Sequence, residues 1–201
     1  MSTGCHIPSE NGEAEIVIQK SRFIAQAFSI DARGEVGGIL DQLKRKHPKA
    51  RHHCYAFIAG APNDSQVYGF SDDGEPNGTA GKPMLKVLMH SGIGHILVVV
   101  TRYFGGVKLG TGGLVRAYTD ATNEVLGELK TVLKEEKTNA ALDVSYSMEP
   151  LIRNHLETLS IDFSVDYSDR VSFKLSLTAV QKELLAATIK EYNNKGRFSA
   201  C

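Results

Sequence analysis

Apolar residues between positions 14 and 30 fall into two runs, AEIVIQ (14–19) and RFIAQAFSI (22–30), which read as strands broken at Lys20-Ser21. A helix is expected next, from about Glu35 to Lys46, with Val36, Ile39, Leu40 and Leu43 on its apolar face. Asp31 stands where it can cap the start, and Lys44, Arg45 and Lys46 suit the C-terminal end of the helix dipole. Gly37-Gly38 weakens this helix from within, and Pro48 stops it. CYAFIAG (54–60) and QVYGF (66–70) read as strands around a Pro-Asn-Asp turn. The polar segment SDDGEPNGTAGKP leads into a helix over 83–90, with Pro83 in its first turn and Gly92 past its end. HILVVV (95–100) is apolar on both faces, the pattern of a central strand covered on both sides. A helix over 112–130 follows, with Leu114, Tyr118, Ala121, Val125 and Leu129 at helical spacing.

TVLKEEKT (131–138) is a charged joint, and a domain boundary is expected there, dividing 1–135 from 136–201. Beyond it the pattern predicts strand 140–146, helix 150–159, strands 161–167 and 171–177, helix 179–192 and strand 197–200. That order, βαββαβ, is the split-βαβ or ferredoxin-like arrangement. Thr178 and Gln181 form a capping box at the second helix, which should end before Gly196. The hairpin register follows from the side-chain alternation. Ile161, Phe163, Val165 and Tyr167 must share a face with Val171, Phe173, Leu175 and Leu177, which sets Val165 opposite Phe173. The loop must then be Ser168-Asp169-Arg170, and Ser164 lies opposite Lys174 on a wet face.

Composition narrows the class. The chain has 201 residues and 42% hydrophobic content, enough for a real core in one large or two small domains. Lys+Arg and Asp+Glu balance at 23 each, so any nucleic-acid role must come from a local patch. Cys5, Cys54 and Cys201 are odd in number and show no CxxC spacing, which suggests a reducing, cytoplasmic setting. No apolar run approaches membrane-spanning length, and no secretory signal is visible.

The local patch exists. Five glycines, Gly105, Gly106, Gly110, Gly112 and Gly113, crowd TRYFGGVKLGTGGLVRAY between a strand end and a helix start. Successive backbone N–H groups in such a loop, together with the helix N-terminus, favour anions. GEPNGTAGKP is a second glycine-rich helix entry, and it carries Lys82. From Pro76 to Thr119 there is no Asp or Glu, while Lys82, Lys86, Arg102, Lys108 and Arg116 give a formal +5. The competing reading is structural: glycines serve tight turns and close strand–helix packing, and Arg116 can pair with Asp120 at i,i+4. The loop around Lys108 fits neither a P-loop, since no Ser or Thr follows the lysine, nor a GxGxxG pattern. Asp72, Asp73 and Glu75 are a possible acidic site for Mg²⁺ or acid–base work, but no nucleophile or metal-ligand set accompanies them. Cys54 lies in an apolar strand and reads as buried and inert. Tyr103 and Phe104 are candidates for base stacking or for packing at the strand end.

RHHCYAFIAG, GFSDDGEPNGTAGKPML and the signature Arg-aromatic-aromatic-Gly-Gly-x-x-Leu-Gly at 102–110 resemble the IMPACT family over nearly the whole chain. The resemblance implies a two-domain α/β (α+β) protein. Its N-terminal domain would share the fold of a small-subunit ribosomal protein domain, GHMP kinases and an elongation-factor domain. Its C-terminal domain would be ferredoxin-like and similar to another elongation-factor domain. The family's eukaryotic members regulate translation initiation through a region that includes a separate N-terminal domain, to which this sequence has no counterpart. The resulting expectation is a non-enzymatic translation regulator that binds RNA or ribosomes, needing no cofactor or metal. Lys82, Arg102, Lys108 and Arg116 would supply charge, and the five glycines close backbone approach. Two alternatives stand beside it. One is an enzyme with its site between the glycine-rich loops, using Asp72, Asp73 or Glu75. The other is a protein-binding regulator that docks a partner on an apolar face of the C-terminal sheet.

Overall fold

The computed structural model describes residues 4–62 and 67–193. The chain divides into two compact units, one spanning Cys5–Lys134 and one beginning at Glu135. The first contains β1 (Cys5–Pro8), β2 (Gly12–Ile18), β3 (Ser21–Ser29), α1 (Glu35–Lys46), β4 (His52–Ile58) and β5 (Tyr68–Ser71). It continues with α2 (Gly81–Ser91), β6 (Ile96–Tyr103), α3 (Gly110–Glu128) and β7 (Thr131–Lys134).

Five of these strands form one antiparallel sheet in the order β2-β3-β6-β4-β5, with β6 at its centre. The doubly apolar run 96–100 explains that position, since both faces of β6 are covered. Val98 and Val100 lie with Ala25, Ala27, Cys54 and Ala56 beneath the large side chains of α2 and α3, among them Met84, Leu88 and Tyr118. Leu97 and Val99 pack on the other face with Phe57, Val36 and Leu43. Each fully buried aliphatic of this kind stabilises by roughly 1.5–3 kcal/mol. The small residues of β3 and β4 let α2 and α3 approach the sheet closely.

Three local expectations change. Asp31 does not cap α1: Glu35 Oε1 accepts the Asp31 and Ala32 N–H groups at 2.8 Å, while the Asp31 carboxylate pairs with Lys134. The segment expected as a charged joint begins with β7, which pairs with β1 through Cys5↔Lys134 to Pro8↔Thr131. Its alternation is too short to stand out, and its partner residues are 123 to 129 positions away in sequence. α3 starts at Gly110, ahead of the first apolar residue at helical spacing, because glycines contribute nothing to a periodic pattern.

The second unit contains β8 (Thr138–Val144), α4 (Glu149–Thr158), β9 (Asp162–Tyr167), β10 (Val171–Leu177) and α5 (Ala179–Asn193). Its sheet order, β8-β10-β9, is that of the first three strands of a ferredoxin-like sheet. Val165 lies opposite Phe173 and Ser164 opposite Lys174, with Ser168-Asp169-Arg170 as the loop, as the alternation requires. The capping box is formed: Gln181 accepts the Thr178 N–H at 2.9 Å, and Thr178 Oγ1 accepts the Gln181 N–H at 3.2 Å. The strand expected at 197–200, and the stop at Gly196, lie outside the described residues. The sheet face away from the helices carries Asn139, Ala141, Asp162, Ser164, Lys174 and Ser176 around a shallow depression of about 660 Å³. Among the described residues these outward side chains are polar, Ala141 apart.

Candidate functional site

β6 alternates its side chains, so Arg102 follows Val98 and Val100 onto the face covered by α2 and α3. The Arg102 side chain is 7% exposed, and its Nη1 donates to Glu75 Oε1, 4% exposed, at 2.5 Å. Tyr118 of α3 donates its hydroxyl to the same oxygen at 2.9 Å. Cys54 Sγ lies 3.3 Å from that hydroxyl. The guanidinium also lies over the rings of Phe23 and Phe104, at 5.4 and 5.8 Å from their centroids. This corrects the expectation for Arg102: its charge is neutralised inside the domain and is not offered to a ligand. Burial pushes the Cys54 thiol and the Tyr118 phenol well above their ordinary ranges, so neither is an ionised nucleophile.

The acidic segment is corrected in the same way. Asp72 Oδ2 accepts the Gly78 N–H at 2.8 Å, and Oδ1 accepts those of Ala80 and Gly81 at 3.0 and 2.8 Å. The last two open α2, so the anion that this glycine-rich helix entry attracts is the protein's own carboxylate. Asp73 Oδ2 accepts the His53 N–H at 2.6 Å, and the Asp73 carbonyl accepts from His52 Nδ1 at 2.8 Å. Asp72, Asp73 and Glu75 therefore face three different partners and do not converge on a substrate or ion. Among the described residues, no three His, Cys, Asp or Glu side chains are placed to hold a metal ion.

On the opposite sheet face, burial holds the His53 imidazole below its usual range, opposed by Asp73 at 4.0 Å. His47, bonded to the Tyr103 hydroxyl at 2.9 Å, is lowered chiefly by burial and secondly by Lys46. Both histidines take a proton more readily in the unfolded chain, where the reference lies near about pH 6.5. Stability is thus complete above that value and falls as the pH drops through it toward the folded-state range. Thermal melts between about pH 7.5 and pH 5 should show Tm decreasing with acidification. A His53→Gln variant should flatten the profile, and an unchanged slope would remove His53 as a cause.

The second glycine-rich entry is different. α3 begins at Gly110 with no side-chain hydrogen bond at its cap, Leu109. A Cβ placed on Gly106, Gly110 or Gly112 would meet no atom within 4 Å, so these positions face open space. Gly106 and Gly110 have φ of +88° and +71°, a turn geometry that itself calls for glycine. Gly112 has neither a positive φ nor a close neighbour. A Cβ on Gly113 would lie 3.1 Å from the Leu109 side chain, and Gly105 lies hard against the Lys20 backbone. Gly105 and Gly113 are therefore packing glycines.

Lys108 and Arg116 are exposed at this helix start, beside exposed Phe104 and Val107, and Lys82 and Lys86 are exposed on α2. Among the described residues, none of these four cations is in an ion pair with a carboxylate. Arg116 has Asp120 one turn on but does not pair with it. The contact of Gly105 with the β2–β3 turn adds Lys20, a residue that sequence reasoning missed. Only the pairing of Arg22 with Tyr103, which seats that turn beside the loop, could have signalled it.

The Impact N-terminal domain family matches residues 19–126 of the chain. The chain is 45% identical to the IMPACT family member YigZ of Escherichia coli, over 89% of its own length and 84% of the relative's. It is 43% identical to an IMPACT family member of Haemophilus influenzae, over 96% and 93%. A crystal structure of a hypothetical protein, 39% identical, matches with a TM-score of 0.73 over 100% of this chain and 97% of the other. The chain belongs to the IMPACT family.

Proposed function

We propose that the protein is a non-catalytic factor of the translation apparatus that binds RNA phosphates, most simply those of the ribosome, through the start of α3. The observation that carries this reading is the conjunction of a helix start whose cap residue makes no side-chain hydrogen bond with Lys108 and Arg116, both exposed and, among the described residues, free of carboxylate partners. The absence of any acidic residue from 76 to 119 leaves the surrounding field positive. Lys20, whose backbone lies against Gly105, extends the surface on one side. Gly112, with no structural reason to lack a side chain, permits close approach of a backbone phosphate. Phe104 and Val107 supply apolar contacts beside it. An enzymatic reading is less favoured, because Asp72, Asp73 and Glu75 are each engaged by groups of the fold.

Co-sedimentation with ribosomes and isolated subunits at low and moderate salt tests the reading. The wild type should pellet at low salt and release as salt rises. Lys108→Glu/Arg116→Glu should lower the log–log salt slope by about 2 and abolish pelleting at moderate salt. A wild type that never pellets, or a double variant that pellets equally well, would remove this function.

A further inference from the structure

A second surface of the same unit is not explained by phosphate binding. Residues of β5, α2 and α3 line an open groove of about 1170 Å³. Its walls are mainly apolar, and four of their large side chains are strongly exposed: Tyr68 at 37%, Phe70 at 45%, Met89 at 46% and Val115 at 38%. A single exposed apolar residue needs no explanation, but four in one groove form the kind of patch that marks an interaction site. Their positions follow from the fold. Tyr68 and Phe70 alternate with Gly69 on the short strand β5, opposite Ile58 and Ala56, and so point to the sheet face that α2 covers. Met89 and Val115 lie on the outward sides of α2 and α3.

The Lys, Arg, Asp and Glu side chains that line this groove have one sign. Lys82 and Lys86, one turn apart on α2, are both exposed, and among the described residues neither pairs with a carboxylate. Among the described residues no Asp or Glu contributes to the lining, whose other polar side chains include His90, Ser91, Thr119 and Asn123. Asp72, two positions from Phe70, is turned inward onto the start of α2, and the exposed Asp120, Glu124 and Glu128 of α3 are not part of the lining. The groove thus offers apolar seats edged by cations. Aliphatic and thioether walls of this kind suit the side chains of an amphipathic helix, met as i, i+3 and i+4 anchors, with methionine adapting to their shape.

We propose that this groove binds an acidic amphipathic helix of a partner protein. Its apolar stripe lies against Phe70, Met89 and Val115, and its carboxylates reach Lys82 and Lys86. The surface is separate from the phosphate contact at Lys108 and Arg116, and the proposal stands whether or not the protein binds ribosomes.

The test uses the full chain and two synthetic amphipathic helical peptides with the same Leu-rich apolar face, one with a Glu-rich and one with a Lys-rich polar face. Binding is read by fluorescence anisotropy. The Glu peptide should bind at least about tenfold more tightly than the Lys peptide. Phe70→Ser/Met89→Ser should weaken it by about tenfold or more, with circular dichroism and Tm unchanged because both side chains are exposed. Lys82→Glu/Lys86→Glu should invert the preference toward the Lys peptide, while Lys108→Glu/Arg116→Glu should leave it intact. Equal binding of the two peptides, or no loss in the Phe70/Met89 variant, overturns the proposal. So does competition of the Glu peptide by a poly-U oligonucleotide, which would make the groove an RNA surface. Concentration-dependent dimerisation lost in the Phe70/Met89 variant would place a second copy of the chain there and overturn it as well.

Discussion

Arg102→Met is expected to destabilise the first unit by about 3–5 kcal/mol, the usual consequence of removing one member of a buried ion pair. The loss does not come mainly from the attraction that disappears. Glu75 would remain inside the core with the Tyr118 hydroxyl as its one remaining side-chain donor, and a buried carboxylate without its cation is far less favourable than the same group in water. The contacts of Arg102 with the Phe23 and Phe104 rings are lost too, a smaller contribution of roughly 1 kcal/mol. Glu75→Gln alone should also be costly, because it leaves Arg102 buried without its counter-charge. The double variant Arg102→Met/Glu75→Gln should lose much less than the two single losses added together, since neither charge is then stranded and the amide still accepts from Tyr118. Urea unfolding of the four proteins gives the coupling directly, with at least about 1 kcal/mol of non-additivity expected. Strict additivity, or an Arg102→Met protein within about 0.5 kcal/mol of wild type, would mean that the two charges do not depend on each other in the folded state.

That pair also marks where sequence reasoning reaches its limit. Arg102 and Glu75 looked like two functional groups of opposite use, one for phosphates and one for metal or acid–base work. Each is in the other's service. The residues alone could not reveal this, because 27 positions, with all of α2 among them, separate the two, and only the register of β6 turns Arg102 inward. Asp72 misled for a related reason: a carboxylate beside glycines is equally consistent with a ligand site and with capping its own loop. What could be read was whatever depends on short-range periodicity. The central position of β6 followed from its doubly apolar run, and the register of β9 with β10 followed from parity. The β1–β7 pairing was invisible, since two four-residue strands at opposite ends of a unit leave no periodic trace. The phosphate surface lies between these cases. Its charge excess could be counted along the chain, but which cations remain exposed and unpaired depends on long-range packing.

Gly105→Ala separates the two kinds of glycine in that surface, and its effect should be as large as that of breaking the ion pair. An added Cβ would lie 2.0 Å from the Lys20 carbonyl carbon and 2.3 Å from the Lys20 oxygen and the Ser21 nitrogen. All three are backbone atoms, so no side chain can rotate aside. The turn they belong to has little room to move, because Gln19 and Lys20 already hold positive φ values of 46° and 67° to join β2 to β3. The Gly105 N–H also donates to Ser21 Oγ at 3.1 Å, inside the domain, and a displaced loop would break that bond. A loss of at least about 3 kcal/mol is expected, at the upper end of overpacking effects. Gly106→Ala meets no atoms but must hold φ at +88°, which should cost about 1–2 kcal/mol. Gly112→Ala meets neither obstacle and should stabilise α3 by up to about 1 kcal/mol through helix propensity. Urea denaturation of the three variants should therefore give losses that fall from Gly105 to Gly106 and change sign at Gly112. A Gly105→Ala protein as stable as wild type would mean that the loop is not seated on the β2–β3 turn, and Lys20 would then leave the phosphate surface. If Gly112→Ala is stabilised yet pellets less well with ribosomes, the glycine is there for the ligand, because the fold gains from its removal.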